Sequence, residues 1–140
     1  MKKVEVIIKK VVAVIMLNHD NKFLILKRSG NKDHHANIWN LPSGRVEDGE
    51  SLIEAGIREA KEETSLDIFD VEAGKSLDVY VDDQLTLEVN YLISRTNVAQ
   101  VKLNSENTEY MWVTPIESLG YEFAISKEKV KDVLKSFGLL

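Results

Sequence analysis

The stretch Gly44–Leu66, GRVEDGESLIEAGIREAKEETSL, holds seven acidic residues (Glu47, Asp48, Glu50, Glu54, Glu59, Glu62, Glu63) against three basic ones (Arg45, Arg58, Lys61). That excess of four nearly accounts for the net charge of −5 carried by all 140 residues, so the charge is local. At roughly 100° per residue, counted from Glu50, Glu62, Glu59 and Glu63 stand at about 120°, 180° and 220°. On the same wheel Ile53, Gly56, Ile57, Ala60 and Thr64 fall between about 240° and 340°. The spacing predicts a helix with one carboxylate face and a small or apolar face beside it.

Like charges three or four residues apart cost a helix about 0.2–0.5 kcal/mol per pair. Arg58 reaches Glu62 at i,i+4, but one guanidinium does not balance Glu59, Glu62 and Glu63. Either the run is a solvated acidic face, as most charge runs are, or a hard divalent cation completes it. Oxygen-only donors, with no cysteine in the chain and no paired histidine on that face, favour Mg²⁺ or Mn²⁺ over zinc.

The spacing favours the cation. Gly44, five residues, Glu50, seven residues, then Arg58-Glu59-Ala60-Lys61-Glu62-Glu63 and Ser65-Leu66 resembles the Nudix box. Matching Gly44, Glu50, Arg58, Glu59, Glu62 and Glu63 by chance has a probability on the order of 10⁻⁷ per start position at ordinary residue frequencies. Ser65 stands where the family has glycine, a place where a helix often ends in a left-handed residue; a side chain there costs on the order of 1 kcal/mol. Ser43 stands where a second glycine is usual, and Ala60 is a small version of an aliphatic position.

The resemblance implies hydrolysis of a nucleoside diphosphate linked to a further group, at a diphosphate bond, with Mg²⁺ or Mn²⁺. It makes Glu59, Glu62, Glu63 and the Gly44 carbonyl the metal ligands. Glu50 supports that cluster, and Arg58 holds the glutamates in place. Relatives place the general base in the box or on a later loop, which brings in Glu106 and Glu109, just before Trp112. Either acid is equally an exposed loop residue. Basic residues at the end of the second strand often contact phosphate in the family, so Arg28 is a candidate, with an ordinary solvated Lys27–Arg28 pair as the alternative. Trp39, in the approach Trp39-Asn40-Leu41-Pro42-Ser43-Gly44, is placed to stack on a base or simply to pack.

Outward from the box, the opening MKKVEVIIKKVVAVIMLNHD superficially resembles a signal peptide, but Lys9 and Lys10 interrupt its apolar run and Asn18-His19-Asp20 is no small-residue cleavage site. It reads as a strand, too short to cross a membrane. A turn over Asn18–Lys22 and a second strand from Phe23 complete a hairpin-like arrangement. A polar loop follows from Ser29 to Asn37, in which His34 and His35 diverge as surface residues. After the helix, Leu66–Val71 and Ser76–Val81 read as two strands, with a turn at Asp82-Asp83. Leu85, Leu87, Val89 and Tyr91 alternate with polar Thr86, Glu88 and Asn90 in a half-buried strand. Asn97–Asn107 is a polar connection, and Glu109–Thr114 a short strand stopped by Pro115. A last helix starts at a Ser126 cap, runs to about Ser136 with Val130, Val133, Leu134 and Phe137 on one face, and has Gly138 past its end.

This order gives an α+β chain, matching the Nudix-type α/β/α sandwich: a mixed β-sheet with the box helix on one face and a C-terminal helix. At 140 residues and 44% hydrophobic content, one domain over 1–140 is expected. The absence of cysteine excludes disulfides and fits a cytoplasmic setting. The acidic balance argues against a nucleic acid polymer and leaves a small nucleotide as partner, with no membrane and either a monomer or a homodimer.

Among family branches, the proline of ADP-ribose enzymes is replaced by Tyr80, and the tyrosine of dinucleoside polyphosphate enzymes by Asp82. The short chain most resembles the MutT-like branch, which converts a nucleoside triphosphate to monophosphate and pyrophosphate; ADP-ribose, nucleotide-sugar and dinucleoside polyphosphate hydrolysis remain alternatives. Isopentenyl diphosphate isomerase shares the fold but needs a cysteine. A non-catalytic nucleotide-binding module usually lacks box glutamates, and a structural Ca²⁺ helix does not explain Gly44 or Arg58.

Overall fold

A computed structural model describes residues 5–28, 38–97 and 100–140. The expected loop over 29–37, with His34 and His35, lies outside the described residues. The elements are β1 (Ile7–Leu17), β2 (Phe23–Arg28), β3 (Trp39–Asn40), β4 (Ser43–Arg45), α1 (Leu52–Thr64), β5 (Phe69–Asp82), β6 (Leu85–Arg95), β7 (Asn107–Val113), α2 (Pro115–Ser118) and α3 (Lys127–Ser136).

The strands form one mixed sheet in the order β3-β2-β1-β6-β5, with β4 also on β1 and β7 also on β2. β1 runs parallel to β6 from Ile7↔Leu85 to Leu17↔Arg95. The other pairings are antiparallel. β1 and β2 meet only at Leu17↔Phe23 and then part. β4 lines the β1 side of the fork and β3 the β2 side, so Trp39–Arg45 is carried between them to the start of α1.

Because strand side chains alternate, β1 feeds two cores. Val12, Val14 and Met16 pack with Leu24, Leu26, Leu92 and the α1 residues Ala55 and Ala60. Ala13, Ile15 and Leu17 pack with Phe23, Ile25, Tyr91 and the α3 residues Val133 and Leu134. The result is a helix–sheet–helix sandwich, as the order of elements predicts. No helix among the described residues is long and apolar enough to cross a membrane.

α1 starts with a capping box: the Ser51 hydroxyl accepts from the Glu54 N–H at 3.1 Å, and the Glu54 carboxylate accepts from the Ser51 N–H at 2.9 Å. Its buried stripe is Ala55, Gly56, Ala60, Glu63 and Thr64. Of the expected apolar face, Gly56, Ala60 and Thr64 are buried, but Ile53 and Ile57 are 41% and 43% exposed. The reason is closeness: a Cβ on Gly56 would collide with Leu92, so only small residues fit the seam and the large ones fall outside it.

The helix ends at Ser65 in the left-handed conformation, φ 66°, where the family glycine stands. Its N–H donates to the Lys61 carbonyl at 3.0 Å, and its hydroxyl donates to the Lys102 carbonyl at 3.3 Å. The Lys102 N–H in turn reaches the Thr64 carbonyl at 2.9 Å. These bonds hold the segment after β6 against the end of α1.

Two expected strands are one. β5 runs unbroken from Phe69 to Asp82, with irregular pairing between Phe69 and Glu72 and between Ala73 and Ser76; Leu66 and Ile68 join the α1 core instead. The bulged stretch lets Phe137, at the end of α3, lie where any side chain on Gly74 would be. The Asp82 carboxylate closes the following turn by accepting from the N–H groups of Gln84 and Leu85. Pro115 stops β7 as expected and also opens α2, capped reciprocally by Thr114 and Glu117. α3 begins at its Ser126 cap.

Candidate functional site

The box residues gather where α1 passes β4. A Cβ on Gly44 would collide with the Glu59 carboxylate, so only glycine lets this carboxylate lie on the β4 backbone. Arg58 binds the group together. Its Nε and Nη2 donate to the two oxygens of Glu50 at 2.8 and 2.9 Å, a bidentate fork. Its Nη2 also reaches the Arg45 carbonyl at 2.8 Å. Nη1 reaches Glu59 Oε1 at 2.8 Å and Glu62 Oε2 at 3.3 Å, with Glu47 at 3.7 Å.

Electrostatics separates the carboxylates. The Arg58 hydrogen bond, aided by the Glu47 N–H, holds Glu50 down to about 2; Glu50 raises Arg58 in return. Glu59 is raised, because burial outweighs its bond to Arg58 and both Glu62 and Glu106 repel it. Glu63 is buried, and burial pushes it up to about 8, against the Ser43 N–H and the charge of Arg28 and with repulsion from Glu59 and Glu106. Its Oε2 accepts from the Ser43 N–H at 3.0 Å.

The structure therefore brings Gly44, Glu50, Arg58, Glu59, Glu62 and Glu63 together and sets the charges of Glu106 and Arg28 against Glu63. Among the described residues no three acidic or histidine side chains are gathered tightly enough to hold a metal as they stand. Arg58 holds Glu59 and Glu62, and the Ser43 N–H holds Glu63. The donor chemistry still suits a hard cation: all-oxygen, partly buried, mutually repelling, with more negative charge than Arg58 neutralises.

Two candidates lie elsewhere. Glu109 pairs with Lys27 at 3.0 Å, across the Lys27↔Glu109 register of β2 and β7. Trp39 sits in register with Lys27, which places its ammonium 5.9 Å from the ring centroid, and Tyr121 meets it edge-on at 5.4 Å. Alternation along β2 puts Lys27 on the α3 face and Arg28 on the α1 face, which is why one joins this ion pair and the other faces Glu63.

Some contributors carry no sequence signal. Ser43 and Arg45 act through backbone groups, which residue identity does not report. The connection after β6 is tied down by the Asn104 N–H donating to the Glu63 carbonyl at 3.3 Å. On the other face, a cavity of about 210 Å³ opens between the sheet and α3, lined by Ala13, Asn40, Leu41, Ser43, Tyr91 and Phe123 among others.

The family model for the NUDIX domain matches residues 8–133. The RNA pyrophosphohydrolase of Pelagibacter ubique (strain HTCC1062) is 30% identical over 158 aligned residues, covering 94% of this chain and 97% of that one. The crystal structure of the MutT protein from Methanosarcina mazei Go1 superposes with a TM-score of 0.71 at 29% identity, over 95% of this chain and 99% of that one. A Caenorhabditis elegans Ap4A hydrolase complex shares the fold, with a TM-score of 0.73 at 22% identity over 93% and 95% of the two chains. With a box whose arginine binds three of its glutamates and a family match spanning nearly the whole chain, this protein belongs to the Nudix hydrolase family.

Proposed function

We propose that residues 1–140 form one metal-dependent pyrophosphohydrolase unit that converts a nucleoside triphosphate to monophosphate and pyrophosphate. Glu59, Glu62, Glu63 and the Gly44 carbonyl would hold Mg²⁺ or Mn²⁺. The observation that carries this reading is geometric: the Glu59 carboxylate lies against the Gly44 backbone and the buried Glu63 carboxylate is held on the neighbouring Ser43 N–H, so the oxygen donors converge on one turn of backbone. A divalent cation bound there would neutralise the carboxylates, shield the phosphate oxygens and lower the pKa of a water.

The chain's own groups do the rest. Arg58 holds Glu50, Glu59 and Glu62 on one guanidinium, from which Glu59 and Glu62 would turn to take the cation while Glu50 keeps Arg58 in place. Arg28, on the same sheet face, binds a phosphate oxygen. Glu106 takes the proton of the attacking water. Glu109, paired with Lys27, is left without that role. The nucleoside lies in the cavity lined by Asn40 and Leu41, and Pro42 and Ser43 lead from there directly to Gly44. A cysteine-free chain suits the cytoplasm.

A second reading rests on the Pelagibacter relative, named for RNA: a triphosphate at an RNA end would present the same bond. The net charge of −5 favours the small nucleotide. The test is product release from nucleoside triphosphates, nucleotide sugars, ADP-ribose, dinucleoside polyphosphates and a 5′-triphosphate RNA, each with Mg²⁺, Mn²⁺ and chelator. Pyrophosphate from free triphosphates is expected. Turnover of another class alone overturns the substrate, and tight binding without turnover of any class makes the domain a sensor.

A further inference from the structure

β1 is covered unequally on its two edges. β6 follows it along its whole length, whereas β4 pairs only with Val11, Val12 and Ala13. The Val46 N–H then donates to the Lys10 carbonyl at 3.0 Å. Among the described residues no strand pairs with that edge over Ile7–Lys9, or with Glu5 and Val6 before it. The stretch reads Glu5-Val6-Ile7-Ile8-Lys9, and Val6, Ile7 and Ile8 are 59%, 48% and 64% exposed. An open apolar edge is a template for another strand.

Backbone parity says which groups are on offer. The Ile7 N–H donates to the Gln84 carbonyl, on the β6 side, while the Lys10 carbonyl and the Val14 N–H are used on the β4 side. Alternation therefore turns the N–H and C=O groups of Val6 and Ile8 toward the open edge.

Paired antiparallel with itself, this segment is self-complementary. Val6 faces Ile8 of the partner subunit as the doubly hydrogen-bonded pair. Ile7 faces its own copy on the two-fold axis. Glu5 faces Lys9 of the partner subunit in the register where opposing side chains come closest, so this pairing of opposite charges occurs twice, once on each side of the axis. We propose that the open edge of β1 is a self-association surface that takes a second copy of this chain in a two-fold antiparallel strand pair. The contact is short, so the dimer forms reversibly with concentration.

The natural chain has no cysteine, which makes cross-linking specific. In this pairing the two Ile7 Cα atoms stand about 4.5 Å apart, within the disulfide range of about 4.4–6.8 Å. Ile7→Cys should give disulfide-linked dimer under mild oxidation, while Ile57→Cys, comparably exposed on α1, should not. In sedimentation, Lys9→Glu should weaken dimerisation about tenfold, and adding Glu5→Lys to it should restore the wild-type constant. A wild-type chain that stays monomeric at high concentration, equal cross-linking at both cysteines, or failure of the double charge swap to restore association would each overturn the proposal.

Discussion

Glu59 reaches the β4 backbone only because residue 44 has no side chain. Gly44→Ala is therefore expected to push the Glu59 carboxylate aside and lower turnover on the order of 100-fold, with an unchanged circular dichroism spectrum. Arg58 donates to Glu50, Glu59, Glu62 and the Arg45 carbonyl at once. Lysine offers one point charge and no planar fork. Arg58→Lys should cost about 10- to 100-fold in metal affinity or turnover, read from metal titrations of kcat. Glu50 predicts a pH effect. Its folded pKa near 2 lies below its ordinary 4.5, so the folded state binds fewer protons and the pair stabilises the fold above pH 4.5. That contribution disappears as pH falls toward 2. Urea midpoints should drop more steeply over this range for the wild type than for Glu50→Gln. At this scale the sequence was most informative, because the box residues touch one another as their spacing implies. Which of Glu106 and Glu109 lies nearer the box was not legible, because strand register pairs Glu109 with Lys27.

Ends of elements were easier to read than packed faces. Ser126 caps α3 and Ser65 closes α1 where the sequence places them, since capping depends on local chemistry. The buried face of α1 was legible only in part. Ile53 and Ile57 are hydrophobic yet lie outside a seam whose width is set by Leu92 on β6, a residue the helix sequence does not announce. The seat of Phe137 from α3 over Gly74 of β5 is likewise a contact between residues far apart in the chain. Ser65 retains a left-handed backbone at a cost of about 1–2 kcal/mol. Glycine relieves that but loses about 0.4–1 kcal/mol through the unfolded chain. Ser65→Gly also removes the hydroxyl donor to the Lys102 carbonyl, worth about 0.5–1.5 kcal/mol. Stability, read from the thermal midpoint, should therefore move by no more than about 1 kcal/mol either way, with turnover unchanged.

Across the whole molecule, the order of elements indicated an α+β chain or a mixed sheet with helices on its faces and the family resemblance implied the sandwich, and the two core clusters follow the side-chain alternation of β1 and β2. The parallel match of β1 to β6, the fork that carries Trp39–Arg45 to α1, and the cavity beneath α3 were not legible. Each depends on residues far apart in the chain, and no local pattern encodes that pairing. In the proposed reading, this architecture places Glu63 and Glu59 around a cation. Pyrophosphate release from a nucleoside triphosphate, measured for wild type and Glu63→Gln with Mg²⁺ and with chelator, tests it most directly. Turnover is expected only for the wild type and only with metal, while both proteins remain folded. Near wild-type turnover by a folded Glu63→Gln, or turnover undiminished by chelator, would contradict it.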